Sequence, residues 1–198
     1  MSQSPVRKHP TAESGFTMVE VMVALSILVV GLMATALLMA NVYKNTVRSR
    51  YMAMAAQLAS EKLEDLNRFQ STDPRICTSG GSLTADTVPV SKTCNSQTDS
   101  VNYYDTITLN LSNGAMTETY EQLSGTTVQY VTQTFSPDGV YQAPTTSNTA
   151  PTGTTFKRRW VVEQDTPITG VRMITVLVTL LDNTIQPPVT FQMSMVRP

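Results

Sequence analysis

Residues 21–40 contain neither a charge nor a proline, and twenty residues at about 1.5 Å rise each reach across the roughly 30 Å hydrocarbon core of a bilayer. Such a run must lie in lipid or against other apolar surface, so it is a candidate membrane-spanning helix and the rest of the chain has to be arranged around it. One carboxylate, Glu20, stands at its edge, and the nearest cation in sequence, Lys8, is twelve residues away. A charge in that position is costly unless it snorkels to the headgroups or meets a partner. An amine created by cutting the chain nearby is one such partner.

The helical pattern outlasts the apolar run. From Phe16 to Arg68 there is no proline and Gly31 is the only glycine. Met52, Ala55, Ala59, Leu63 and Leu66 follow at steps of three and four, which places one apolar stripe on one face. About 53 residues at 1.5 Å each predict one helix near 80 Å long. The sequence Ser71-Thr72-Asp73-Pro74 is expected to end it, because proline disfavours helical geometry in the residue before it. Residues 71–100, rich in Ser, Thr, Gly and Asp, read as a surface connection with one short strand.

Strand signals then accumulate. Val101, Tyr103, Ile107, Leu109 and Leu111 alternate with polar neighbours, Val128, Tyr130 and Phe135 less cleanly, and Ser136-Pro137-Asp138-Gly139 is a turn signal. Residues 143–155 read as a Thr/Ser/Pro-rich spacer. Phe156, Arg158, Trp160 and Val162 alternate, residues 171–181 are apolar on both faces in places, and Val189, Phe191, Met193 and Met195 alternate again. Three such segments with short connections predict an antiparallel meander with its middle strand most buried.

Gly15-Phe16-Thr17-Met18-Val19-Glu20, running into the apolar stretch, resembles the class III signal of type IV pilins and of the pseudopilins of type II secretion. The resemblance is specific over residues 14–40. It implies that a membrane-embedded prepilin peptidase cuts between Gly15 and Phe16 and methylates Phe16 as the first mature residue. It further implies that Glu20, the fifth, pairs with the terminal amine of a neighbouring subunit during filament assembly. Residues 23–32 and 55–64 look most like PilV-type minor pilins.

The expected fold class is therefore α+β, type IV pilin-like, with a long N-terminal membrane-spanning helix packed on an antiparallel β-sheet. Residues 1–15 would be a cleaved leader and 16–40 the transmembrane and assembly half of the helix. Residues 41–70 would form its outer amphipathic half, and 71–198 a β-rich globular domain. Unlike a secretory signal, the leader is polar and its apolar stretch follows the cut, so the anchor stays on the mature protein. Losing Arg7, Lys8 and Glu13 changes the side-chain net charge from −1 to −2. Arg7 and Lys8 on one side face Lys44, Arg48 and Arg50 on the other, so charge alone leaves orientation open. The resemblance puts the leader in the cytoplasm, the anchor in the inner membrane, and the body in the periplasm, later at the cell surface in a pilus. Implied partners are other minor and major pilins, the prepilin peptidase, inner-membrane pilus assembly proteins and membrane lipid.

In an exported domain the two cysteines, Cys77 and Cys94, read as one disulfide; in the cytosol they would be free thiols. The closed loop of about 17 residues would be worth roughly 3 kcal/mol in the chain-entropy model.

Little catalytic chemistry is available. The only histidine, His9, lies in the leader, so the processed chain would lack histidine-based nucleophile activation and the commonest transition-metal ligand. Glu61, Glu64 and Asp65 beside Lys62 and Arg68 read as a solvated, ion-paired helix face. Gly80-Gly81 lacks the strand and helix context of a phosphate cradle. Asp138-Gly139 and Asp182-Asn183 read as turns rather than calcium ligands. Lys157-Arg158-Arg159-Trp160 offers the basic and aromatic groups that single-stranded nucleic acid uses. Strand alternation with Trp160 inward and Lys157 and Arg159 outward is the plainer account, and a near-neutral chain makes nucleic acid an unlikely main partner. No enzyme, metal or cofactor is expected. The leading reading is a minor type IV pilin that helps initiate or modify pilus assembly. The alternatives are a minor pseudopilin of type II secretion and a membrane-anchored adhesive module.

Overall fold

A computed structural model describes residues 15–198 except 111, 137, 139, 141, 154 and 183. Arg7, Lys8, His9 and Glu13 of the expected leader, and Leu111, Pro137, Gly139 and Asn183 further on, lie outside the described residues. The chain divides into two compact units, one ending at Thr46 and the other running from Val47 to Pro198. One helix, α1 (Met18–Arg68), contributes residues to both. It stops at Arg68, three residues before the Ser-Thr-Asp-Pro sequence expected to end it.

Ten strands occur among the described residues. They are β1 (Gly80–Gly81), β2 (Val90–Cys94), β3 (Gln97–Val101), β4 (Tyr104–Leu109), β5 (Met116–Ser124), β6 (Thr127–Phe135), β7 (Thr145–Ser147), β8 (Phe156–Gln164), β9 (Arg172–Leu180) and β10 (Thr190–Arg197). The main sheet runs β10-β9-β8-β4-β5-β6-β7 with β1 alongside β8, while β2 and β3 form a separate hairpin. Every pairing is antiparallel. The last three strands are the expected meander, with Trp160 opposite Val176 and Val176 opposite Met193.

Period-two alternation decides what faces the helix. Phe156, Trp160 and Val162 of β8 and Ile174, Val176, Val178 and Leu180 of β9 are buried, and they share one core with Ala55, Leu58, Ala59, Leu63 and Leu66 of α1. The alanines have no bulk to hold the backbone off, so this half of the helix lies close on the sheet.

Three stretches differ from the sequence expectation. Residues 71–100 hold β1 and the β2–β3 hairpin as well as the fully buried Ile76. β5 is a nine-residue strand where no alternation announced one, and the spacer at 143–155 contains β7, paired with β6.

The double glycine has a packing role. Gly81 has φ of 94°, and a Cβ there would overlap the Trp160 carbonyl oxygen. At Gly80 a Cβ would overlap the Tyr103 hydroxyl. The pair thus lets β1 press onto β8 and the buried Tyr103. Gly81→Ala is expected to lower stability by about 3 kcal/mol, from strain at positive φ plus a clash with backbone that cannot rotate away. Urea unfolding in detergent would measure it, and a change under about 1 kcal/mol would refute this account.

A buried charge cluster joins helix to sheet, and it corrects the expectation for Lys62. Far from lying on a solvated face, Lys62 is buried, with its Nζ 3.0 Å from Asp105 Oδ2 and 3.2 Å from Glu118 Oε1 and 4.4 Å from the centre of the Trp160 ring. Arg158, on the inward face of β8, donates from Nε and Nη2 to the two oxygens of Asp105 at 2.7 and 2.8 Å. Its Nη2 is also 2.8 Å from Glu118, and its Nη1 donates to the Leu58 carbonyl of α1 at 3.4 Å. Two cations and two carboxylates thus neutralise one another, which a buried charge requires.

Candidate processing and assembly segment

The residues before α1 build a helix start. Thr17 precedes the first helical residue, and its Oγ1 accepts from the Glu20 amide at 3.3 Å. The Thr17 carbonyl accepts from Glu20 and Val21 at 3.1 and 3.2 Å. Threonine followed three residues later by glutamate is the capping-box spacing. Glu20 sits in the first turn, where the helix dipole favours a negative charge. That spacing, not among the signals read from the sequence, is the local reason the helix begins here.

Two glycines have no packing explanation among the described residues. A Cβ at Gly15 or at Gly31 would meet nothing within 4 Å, although a glycine inside a helix costs about 1 kcal/mol relative to alanine. Among the described residues nothing demands a small side chain at either place. Phe16, next to Gly15, is 83% exposed.

From Val21 to Met39 thirteen large apolar side chains are between 47% and 72% exposed. At roughly 1.5 kcal/mol for each side chain buried, on the order of 20 kcal/mol favours moving this surface out of water. α1 is long and apolar enough here to cross a membrane, and none of that apolar stretch is buried by the rest of the chain. Its hydroxyl groups suit the same medium. Ser26 donates to the Met22 carbonyl at 2.8 Å and Thr35 to the Leu32 carbonyl at 2.9 Å, so neither is left unpaired in hydrocarbon.

The other singled-out residues lie in the Val47–Pro198 unit. Cys77 and Cys94 are joined by a disulfide, with Cα atoms 6.5 Å apart. It ties the turn after α1 to the β2–β3 hairpin, and an Arg75–Asp99 ion pair at 2.7 Å bridges the same two segments. Lys157 and Arg159 point away from Trp160 and share Asp86, at 2.6 and 2.8 Å. Partial burial opposes the charge on Asp86, but those hydrogen bonds outweigh it and hold the carboxyl below its ordinary value. The basic cluster is thus answered within the chain. Asp138 and Asp182 each accept from the amide two residues on, at 3.4 and 2.8 Å, as turn residues do; their neighbours Gly139 and Asn183 lie outside the described residues. Among the described residues no three His, Cys, Asp or Glu side chains converge as metal ligands.

Residues 11–36 match a family model described as the prokaryotic N-terminal methylation motif. The match takes in Gly15, Phe16, Glu20 and most of the apolar run. No curated protein and no solved structure matches the chain. The chain therefore carries the type IV pilin-type prepilin signal, which supports membership of the pilin and pseudopilin family, on a pilin-like α+β architecture.

Proposed function

We propose that this protein is a minor type IV pilin of the PilV type, which helps initiate or modify pilus assembly. A prepilin peptidase cuts between Gly15 and Phe16 and methylates Phe16. Residues 16–40 hold the product in the inner membrane with the Val47–Pro198 unit in the periplasm, and the helix then exchanges lipid for the helices of other pilins. The observation that carries this reading is the exposed, chargeless surface between Val21 and Met39, which begins inside the methylation motif. The open space around Gly15 and Gly31 agrees with it, since both glycines then serve contacts with other molecules.

In the bundle a bare Glu20 carboxylate would be unmatched. Pairing with the Phe16 amine of a neighbour removes that cost and sets register between subunits. The motif is common to pseudopilins, so a minor pseudopilin of type II secretion is the second reading. Recovery of the protein with sheared pili, rather than loss of a secreted substrate on deletion, separates the two.

Mass spectrometry of the mature N-terminus tests the processing step. With the peptidase present the chain is expected to begin at methylated Phe16, and without it at Met1. A cut elsewhere, or the same terminus in both strains, would remove the basis of the reading.

A further inference from the structure

An open groove of about 480 Å³ lies in the Val47–Pro198 unit between α1, the end of β3 and the inner face of β5 and β6. That is within the range of roughly 300–1,000 Å³ typical of ligand sites. Its floor is the buried charge cluster, where Lys62 and Arg158 answer Glu118 beside the Trp160 ring. Leu66, Phe69, Tyr120 and Phe135 make its walls apolar in part.

Two needs are left open there. Asn102 lines the groove and is only 9% exposed. Its side-chain oxygen accepts from the Tyr103 amide at 2.8 Å, while its amide nitrogen has no acceptor among the described residues. A buried donor without an acceptor is costly, so a ligand oxygen gains by meeting it. At the rim the need is for positive charge. Among the described residues Glu61 forms no salt bridge and acts on Arg158 only at a distance, and Asp65 stands 3.7 Å from Lys62, which has two closer carboxylates. The other cations at the mouth are committed, Arg68 to Glu64 at 3.1 Å and Arg75 to Asp99 at 2.7 Å. These needs select among ligands. An anion meets an acidic rim, and a metal ion finds no three converging ligands among the described residues. A neutral sugar brings oxygens without charge, and a polyamine brings charge without an acceptor. A peptide with a lysine or arginine supplies everything: a backbone carbonyl for Asn102, an apolar stem for the walls and a cation for Glu61 and Asp65.

We propose that this groove docks an extended segment of a different protein, one that carries a lysine or arginine between apolar residues. A second copy of the chain does not fit the part. Its Arg48 and Arg50 lie roughly 16–20 Å from Glu61 along α1, and copies anchored by one apolar run stand at one height. Its cations beyond Arg50 are engaged at home. Besides those of the cluster, the groove mouth and Asp86, Lys92 donates to Thr78 and Ser79, Arg172 to Gln164, and Arg197 to the carbonyls that end α1. Only this exclusion of a second copy rests on the membrane-anchored reading. The peptide specificity rests on the groove.

Full-length protein in nanodiscs of zwitterionic lipid, with empty discs as the blank, provides the test. The probes are three labelled, end-blocked pentapeptides that differ only in the central residue, which is lysine, norleucine or glutamate between two leucines. Fluorescence anisotropy gives each Kd. The lysine peptide is expected to bind about tenfold more tightly than the norleucine peptide, and the glutamate peptide most weakly. E61Q/D65N is expected to erase the lysine advantage and leave the norleucine peptide unaffected. Asn102→Ala is expected to weaken the lysine and norleucine peptides alike, by about fivefold, because it removes a donor to the backbone that both share. Melting temperatures near that of the unaltered chain exclude misfolding of either variant. Equal binding of the lysine and norleucine peptides to the unaltered chain, or no binding above empty discs, overturns the proposal without recourse to a variant. A lysine advantage that survives E61Q/D65N, or an Asn102→Ala chain that binds as before, overturns it too. Release of a second, differently tagged copy by the lysine peptide overturns the choice of occupant. A mature N-terminus other than Phe16 defeats the pilin reading and leaves the peptide measurements standing.

Discussion

Replacing Asp105 by alanine is expected to lower the stability of the Val47–Pro198 unit by about 3–5 kcal/mol, the range found when one partner of a buried ion pair is removed. The Asp105 side chain is wholly buried and takes both hydrogen bonds of the Arg158 fork as well as the Lys62 ammonium. Without it the two buried cations share Glu118, with only the partly exposed Asp65, 3.7 Å from Lys62, in support. A domain of this size is stable by only about 5–15 kcal/mol, so the loss is a large part of the whole. Urea unfolding of the full-length protein in detergent measures it as a lower midpoint at unchanged slope. Glu118→Ala should cost less, because Glu118 is partly exposed and burial together with the Asp105 charge already raises its pKa. A loss under about 1 kcal/mol for Asp105→Ala would mean that the cluster does not hold helix to sheet.

The same cluster sets the response to acid. Burial alone would raise the Asp105 pKa, but the Arg158 and Lys62 charges prevail and hold it well below the ordinary range. Its folded value is then lower than its unfolded one, so its contribution is complete above the unfolded value of about 4 and is lost as pH falls toward the folded value. Glu118, shifted upward, acts with the opposite sign, and its contribution is lost as pH rises through its folded value. Unfolding midpoints should therefore fall on acidification below about pH 4, and Asp105→Ala should flatten that limb. An unchanged acid limb in the variant would assign the loss to other carboxylates.

What could be read from residues alone follows from the range of the forces involved. The run at 21–40 was legible because a bilayer asks only for length and absence of charge, and the β8–β10 meander because one buried face imposes alternation. Alternation also placed Arg158 inward, without showing what would neutralise it. Lys62 was misread because Glu61, Glu64 and Asp65 lie within one turn of it, whereas its two nearest carboxylates, Asp105 at 3.0 Å and Glu118 at 3.2 Å, belong to strands far along the chain. β5 escaped notice because neither face is mainly apolar. One carries threonines paired across to β6, Thr117 with Thr134 and Thr119 with Thr132, both at 3.2 Å; the other puts Glu118, Tyr120 and Gln122 along the groove. In the β2–β3 hairpin a disulfide and an Arg75–Asp99 ion pair supply what an apolar pattern would otherwise have announced.

Glu20→Ala is expected to insert into the inner membrane as well as the unaltered chain, yet to be absent from filaments. Insertion depends on the thirteen apolar side chains that follow, and losing a carboxylate at the edge of the span removes a cost rather than adding one. The helix start should also survive. The bond that Thr17 accepts comes from the Glu20 backbone amide, so the substitution forfeits only the carboxylate's interaction with the helix dipole, about 0.5 kcal/mol. In a bundle of apolar helices the balance reverses. On the proposed assembly, an alanine would leave the methylated amine of a neighbouring Phe16 buried and unpaired, and a lone buried charge costs several kcal/mol after relaxation. Glu20→Gln separates charge from shape: it keeps the length and one acceptor but not the ion pair, and it should also fail. The ratio of protein in sheared filaments to protein in inner membranes measures the effect, and both variants should retain the membrane fraction while losing the filament fraction. Filament levels like those of the unaltered chain would show that the carboxylate has no part in register, leaving it the purely local task of starting α1.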